Sequence, residues 1–114
     1  MLTTHVLDTY HGVPAANVAI ELTRLESPRE TLARATTNRD GRCDKPLLAG
    51  DQMKAGRYEL SFDLAAYFRG KGVQLPDPPF LSKVVIAIGI ADASANYHVP
   101  LLASPWSYST YRGS

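Results

Sequence analysis

Between residues 17 and 25, Val18, Ile20 and Leu22 alternate with Ala19, Glu21 and Thr23. A period of two sets one apolar row on one face of a β-strand. Tyr58, Leu60 and Phe62 alternate with Glu59, Ser61 and Asp63 in the same way, and Tyr97, Val99 and Leu101 alternate with Asn96 and His98. These runs predict two more strands. Residues 31–37 and 108–111, rich in Thr, Ser or Tyr and bounded by turn residues, predict two further ones. His5 falls in a first strand near the start of the chain. Turn-forming clusters separate the runs: His11-Gly12-Val13-Pro14, Asn38-Arg39-Asp40-Gly41, Leu48-Ala49-Gly50-Asp51, Leu75-Pro76-Asp77-Pro78-Pro79 and Ser104-Pro105. Their spacing predicts an all-β sandwich. Only residues 64–69 predict a helix, of one to two turns, with Ser61 and Asp63 as candidate caps before it and Gly70 closing it.

Val84-Val85-Ile86-Ala87-Ile88-Gly89-Ile90 departs from the alternation, being apolar at both parities. Both faces of that strand should be covered. The bulky row Val84, Ile86, Ile88 and Ile90 fits a sandwich core, while Val85, Ala87 and Gly89 leave room for a close neighbour. The pattern admits either another subunit or a loop folded over the outer face.

At 114 residues, with 45% hydrophobic and 20% charged positions, the chain is expected to fold as a single domain over residues 1–114. A net charge of +1 supplies no field for nucleic acid or an anionic membrane. One cysteine, Cys43, excludes an internal disulfide. A zinc site from His5, His11 and Cys43 lacks any supporting motif, so no metal or cofactor is expected. The first residues have neither the basic start nor the apolar run of a secretory signal, and the apolar stretch 84–91 is far short of the roughly 20 residues a membrane span needs. The chain is therefore expected to start at Met1, to be soluble and to reside in the cytoplasm, since Arg112-Gly113-Ser114 is not a peroxisomal Ser-Lys-Leu ending.

Candidate chemistry centres on few residues. His98 has the parity opposite Tyr97, Val99 and Leu101 and so points away from the core. An outward histidine is commonly just a solvated group. His5, sharing parity with Thr3 and Leu7, reads equally as a hydrogen-bonded, half-buried imidazole, and His11 in its Gly/Pro turn as surface. The Asp-Gly pair in Asn38-Arg39-Asp40-Gly41-Arg42 predicts a tight hairpin turn with Arg42 opening the next strand. In a cleft, Arg42 could grip an oxygen-rich planar substrate or stabilise an oxyanion. Strand-forming residues continue almost to Ser114, whose carboxylate and hydroxyl should lie close to the sheet.

The opening Leu2-Thr3-Thr4-His5-Val6-Leu7-Asp8-Thr9 with Gly12-Val13-Pro14-Ala15, the central Asp40-Gly41-Arg42, and the ending His98-Val99-Pro100-Leu101-Leu102 through Ser104-Pro105 to Tyr108-Ser109-Thr110-Tyr111-Arg112-Gly113-Ser114 closely resemble the 5-hydroxyisourate hydrolases, the transthyretin-related enzymes of purine breakdown. The terminal Tyr-Arg-Gly-Ser marks the enzyme branch apart from the thyroid-hormone carriers of the same fold. The resemblance implies a transthyretin-like two-sheet β-sandwich of about eight strands with one short helix, assembled as a homotetramer, a dimer of dimers, with active sites in the channel between dimers. It thereby favours subunit contact over a covering loop for the strand apolar on both faces. It also implies metal-independent hydrolysis of 5-hydroxyisourate by water attack on a ring carbonyl.

Carried over by position, the family's functional residues are His5, Arg42, His98 and the Tyr111-Arg112-Gly113-Ser114 tail. One of His5 and His98 would deprotonate water, with His98 favoured, and the other would bind or protonate substrate. Arg42 would neutralise the oxyanion, Ser114 would orient a histidine or the water, and Tyr111 with Arg112 would shape the pocket and hold the tail. Trp106-Ser107 departs from the family, which more often has an aromatic residue followed by glycine there. The competing class is a transthyretin-like carrier taking a hydrophobic ligand in the same channel, but such a carrier gains little from the polar set. A structural adhesion domain would be expected to bring a signal peptide or a disulfide framework.

Overall fold

The alternating runs become eight strands in the computed structural model, which describes residues 1–114. They are β1 (Leu2–Asp8), β2 (Val13–Pro14), β3 (Ala19–Arg24), β4 (Glu30–Thr36), β5 (Gly56–Asp63), β6 (Lys83–Ile90), β7 (Tyr97–Ala103) and β8 (Tyr108–Thr110), with helix α1 (Leu64–Gly70) between β5 and β6. They form two four-stranded sheets, ordered β2-β1-β7-β8 and β4-β3-β5-β6. Every pairing is antiparallel except that of β1 with β7, which join the two ends of the chain in parallel.

Inward rows of both sheets meet in one core. Leu22, Leu60, Phe62 and Leu101 are completely buried, and Val6, Val84 and Val99 pack among them. Each such large side chain stabilises the fold by about 1.5–3 kcal/mol relative to exposure. Helix α1 buries Leu64, Ala65, Tyr67 and Phe68. Of the two candidate caps it is Asp63 that acts, Oδ1 accepting from the Ala66 N–H at 3.3 Å. Gly70 does not close the helix; it is the last helical residue, and the left-handed position falls two residues on, at Gly72 (φ 82°).

Three further boundaries differ from the pattern. Asn17 has φ 67°, outside strand geometry, so β3 begins only at Ala19. Val13-Pro14, read as a turn, pairs with Asp8 and Leu7 as β2. The Asp-Gly turn exists, with the Gly41 N–H donating to Asn38 O at 2.9 Å, yet it joins no two strands of a hairpin. It carries the chain from β4 to the other sheet, where Arg42 makes an isolated antiparallel bridge with His5. Gly41 has φ 73°, and a Cβ there would stand 2.4 Å from Val6 O. Only glycine fits. Ser107 meets no comparable demand: Asn17 is the sole non-glycine residue at positive φ, and the turn is closed by Ser104 Oγ accepting from the Trp106 and Ser107 N–H groups.

β6 and β8 are edge strands on the same side of the sandwich. No loop of the chain covers the outer row of β6, where Val85, Ala87 and Gly89 are exposed. No helix is long and apolar enough to cross a membrane.

Candidate active site

Along β1, Leu2, Thr4, Val6 and Asp8 are buried, so Thr3, His5 and Leu7 line the outer face. The parallel ladder sets Thr3 beside His98 and His5 beside Pro100. Both histidines therefore share one face of one sheet, although 93 residues separate them. Arg42 arrives through its bridge to His5. After β8 the tail runs back along β7 until the Gly113 N–H donates to His98 O at 2.8 Å. A Cβ on Gly113 would stand 2.9 Å from His98 Cδ2, so the absence of a side chain is what lets the tail lie against the ring.

These approaches enclose an open cavity of about 460 Å³ lined by Thr3, His5, Arg42, His98 and the Tyr111, Arg112, Gly113 and Ser114 tail. All seven site residues expected from the sequence meet here. Thr3 is the one the sequence reading missed. Its only signal was its place two residues before His5, which in a strand means the same face.

A chain of short contacts runs through the cavity. Thr3 Oγ1 lies 2.7 Å from His98 Nδ1, and His98 Nε2 lies 2.7 Å from His5 Nδ1. Both nitrogens of His98 are thus engaged, whereas His5 Nε2 has no protein partner. Burial lowers the pKa of His5 below its ordinary 6.5, and the neighbouring His98 and Arg42 charges lower it further. His98 is lowered too, first by burial and then by Arg42. Near neutral pH the pair is therefore uncharged and able to accept a proton. The Arg42 guanidinium has no hydrogen-bond or ion-pair partner within the chain and remains available to an oxygen-rich ligand. Arg112 is committed elsewhere: Nη2 donates to Asn96 O at 3.1 Å, and the guanidinium sits 4.1 Å over the centre of the Tyr97 ring. It fastens the tail.

His11 stands apart from this cavity. Expected as surface, it is exposed and also meets a buried carboxylate, Nδ1 lying 2.6 Å from Asp8 Oδ2, which also accepts from the Tyr67 hydroxyl at 2.7 Å. The structure does not gather His5, His11 and Cys43, and no group of three His, Cys, Asp or Glu side chains is placed to hold a metal ion.

Fold and site together define a two-sheet sandwich bearing a polar acid–base cleft on one outer face. The sequence profile of the HIUase/Transthyretin family matches residues 2–113, and the chain belongs to that family. It is 55% identical over 114 residues to a 5-hydroxyisourate hydrolase of Pseudomonas aeruginosa, spanning 99% of this chain and 90% of the relative. Among solved structures, (S)-allantoin synthase superposes with a TM-score of 0.94 at 44% identity, covering 99% of this chain but 43% of that longer one. Klebsiella pneumoniae 5-hydroxyisourate hydrolase gives a TM-score of 0.82 at 34% identity, covering 99% and 97% of the two chains. Transthyretin from Sparus aurata gives 0.87 at 27% identity, covering 98% and 95%. Carrier and hydrolase share this scaffold, so the lining of the cavity has to discriminate between them.

Proposed function

We propose that this chain hydrolyses 5-hydroxyisourate, opening its six-membered ring to give 2-oxo-4-hydroxy-4-carboxy-5-ureidoimidazoline. The observation that carries this reading is the His5–His98 pair, in contact at 2.7 Å, beside the unpaired Arg42 in one cavity. Ring opening needs a base for water, a cation for the oxyanion and a fixed planar substrate. The family name and the curated hydrolase relative support the same reaction.

In the mechanism we favour, His5 Nε2 removes a proton from water as the water oxygen attacks the ring carbonyl. The resemblance favoured His98 as the base, but its two nitrogens are both occupied, while His5, also lining the cavity, has Nε2 without a partner. The tetrahedral oxyanion forms next to Arg42. Collapse breaks the ring C–N bond, the departing nitrogen takes the proton back from the imidazolium, and the carbonyl carbon becomes a carboxylic acid that releases its remaining proton to solvent. His98 shares the transient positive charge through its bond to His5. Ser114, at the same cavity, orients the water or a histidine, while Tyr111 and Gly113 shape the wall and Arg112 holds the tail in place.

One core joins the two sheets, which supports reading residues 1–114 as a single transthyretin-like hydrolase domain. The unpaired edges of β6 and β8, with an apolar cavity of about 390 Å³ between them and the exposed row Val85, Ala87 and Gly89, support assembly as a homotetramer. The test is to generate 5-hydroxyisourate with urate oxidase and follow its ultraviolet decay, with the mass of the protein measured by sedimentation at the same concentration. Decay accelerated in proportion to protein, at a tetramer mass, is expected. Decay at the spontaneous rate with folded protein would favour the carrier.

A further inference from the structure

Two adjacent threonines in β1 do different work. Thr4 faces the core, and its hydroxyl donates to Val99 O at 2.6 Å, satisfying a buried carbonyl. Thr3 faces the cavity, and the only partner of its hydroxyl is His98 Nδ1, at 2.7 Å. A neutral imidazole has one donor and one acceptor nitrogen, so the contacts from Thr3 through His98 to His5 have two self-consistent settings. In the first, His98 Nδ1–H donates to Thr3 Oγ1, His5 Nδ1–H donates to His98 Nε2, and His5 Nε2 keeps its lone pair. In the second every donor reverses: the Thr3 hydroxyl donates to His98 Nδ1, His98 Nε2–H donates to His5 Nδ1, and His5 Nε2 carries a proton. Only the first setting leaves a base in the cavity.

We infer that Thr3 is a positioning residue for the reaction: its hydroxyl accepts the Nδ1 proton of His98 and so sets the tautomer of both histidines, leaving the His5 Nε2 lone pair free. This rests on the hydrolytic reading of the same cavity. The charged groups around it agree with the choice. Arg42, bridged to His5 and unpaired, presents a positive charge that attracts a lone pair at Nε2 and repels an N–H there. Arg112, the other cation at the cavity, is held on Asn96 and Tyr97 and does not compete for Thr3. No Asp or Glu side chain lines the cavity, and the Ser114 carboxylate, its one anionic group, makes no hydrogen bond or ion pair with either imidazole. When His5 takes a proton from water, its Nδ1–H still donates to His98, and the charge shared onto His98 keeps Nδ1–H on the Thr3 oxygen. Thr3 therefore also stabilises the protonated state formed during turnover.

Thr3→Val keeps the shape and strand preference of threonine and removes the hydroxyl; Thr3→Ser restores it, and Thr3→Ala is a second hydroxyl-free variant should valine disturb the strand. Long-range proton–nitrogen correlation spectra at about pH 8 report which ring nitrogen of each histidine is protonated, with no substrate present. Wild type and Thr3→Ser should show Nδ1–H on both rings, and Thr3→Val should shift them toward Nε2–H. Thr3→Val should also lose about tenfold or more in kcat with KM within about twofold, its acid limb moving to lower pH as the protonated pair loses an acceptor. Wild-type tautomers and a wild-type pH profile in Thr3→Val, or loss in Thr3→Ser equal to that in Thr3→Val, would overturn the assignment. Absence of hydrolysis by the wild type would remove the function reading instead, and the spectra would still decide whether Thr3 holds the tautomers.

Discussion

His5, His98 and Arg42 form a site in which the cation acts on the imidazoles as well as, in the proposed reaction, on the substrate. Burial and the Arg42 charge both depress the two imidazoles below 6.5, so the base is unprotonated through the neutral range. The acid limb of kcat/KM should therefore lie below pH 6.5 and belong to the pair rather than to either ring. Arg42→Gln removes the positive neighbour. It should lower kcat by about 10²–10³-fold through loss of the oxyanion partner and move the acid limb upward, toward 6.5. A pH–rate profile of the two proteins checks both; a limb unmoved in Arg42→Gln contradicts the electrostatic part. The same depression affects stability. Unfolded histidines take up protons near 6.5 and the folded pair resists, so stability is lost as pH falls from 6.5 through the folded values. Asp8 acts at lower pH. Burial alone would raise its pKa, yet hydrogen bonds from the His11 backbone and ring and from Tyr67 outweigh it and hold the carboxyl below 3.8. That contribution is present above 3.8 and is lost as pH falls through the folded value.

Among the elements, the turn before Arg42 brings the proposed oxyanion partner to the cavity through backbone geometry. Gly41 sits at φ 73° with no room for a Cβ beside Val6 O, and the next residue is bridged to His5. Gly41→Ala should destabilise the fold by about 2–3 kcal/mol, lowering Tm by roughly 10 °C, and should lower kcat at temperatures where the protein remains folded, because Arg42 is displaced with the turn. Thermal melting with kinetics at low temperature reads both; an unchanged Tm contradicts the close approach. The alternating strands were legible because one face of each is buried, so every second residue has to be apolar, as in Tyr58, Leu60 and Phe62. What was not legible was set by partners distant in sequence. Val13-Pro14 looks like a turn and becomes β2 only because β1 offers an edge, and Asn38–Arg42 looks like a hairpin but passes between sheets.

For the whole molecule, the parallel pairing of β1 with β7 is the decisive long-range event, bringing Thr3 and His5 to His98. His5, Arg42, His98 and the tail were found from the sequence through resemblance; their convergence required this register, and no local pattern encodes it. Thr3 escaped for the same reason, since a threonine in a strand is an ordinary strand former until its neighbour across the ladder is known. The outer row of β6 shows the opposite case. Its apolar character was plain in the sequence, and no loop of this chain covers it. The central claim is that the histidine pair is the base that opens the substrate ring, with His5 at its working end. The most direct measurement is the turnover of in situ generated 5-hydroxyisourate by wild type and His5→Asn, matched for folded content and assembly mass. The account predicts a wild-type rate well above background and a loss of about 10²–10⁴-fold in kcat for His5→Asn; equal turnover by the two proteins would contradict it.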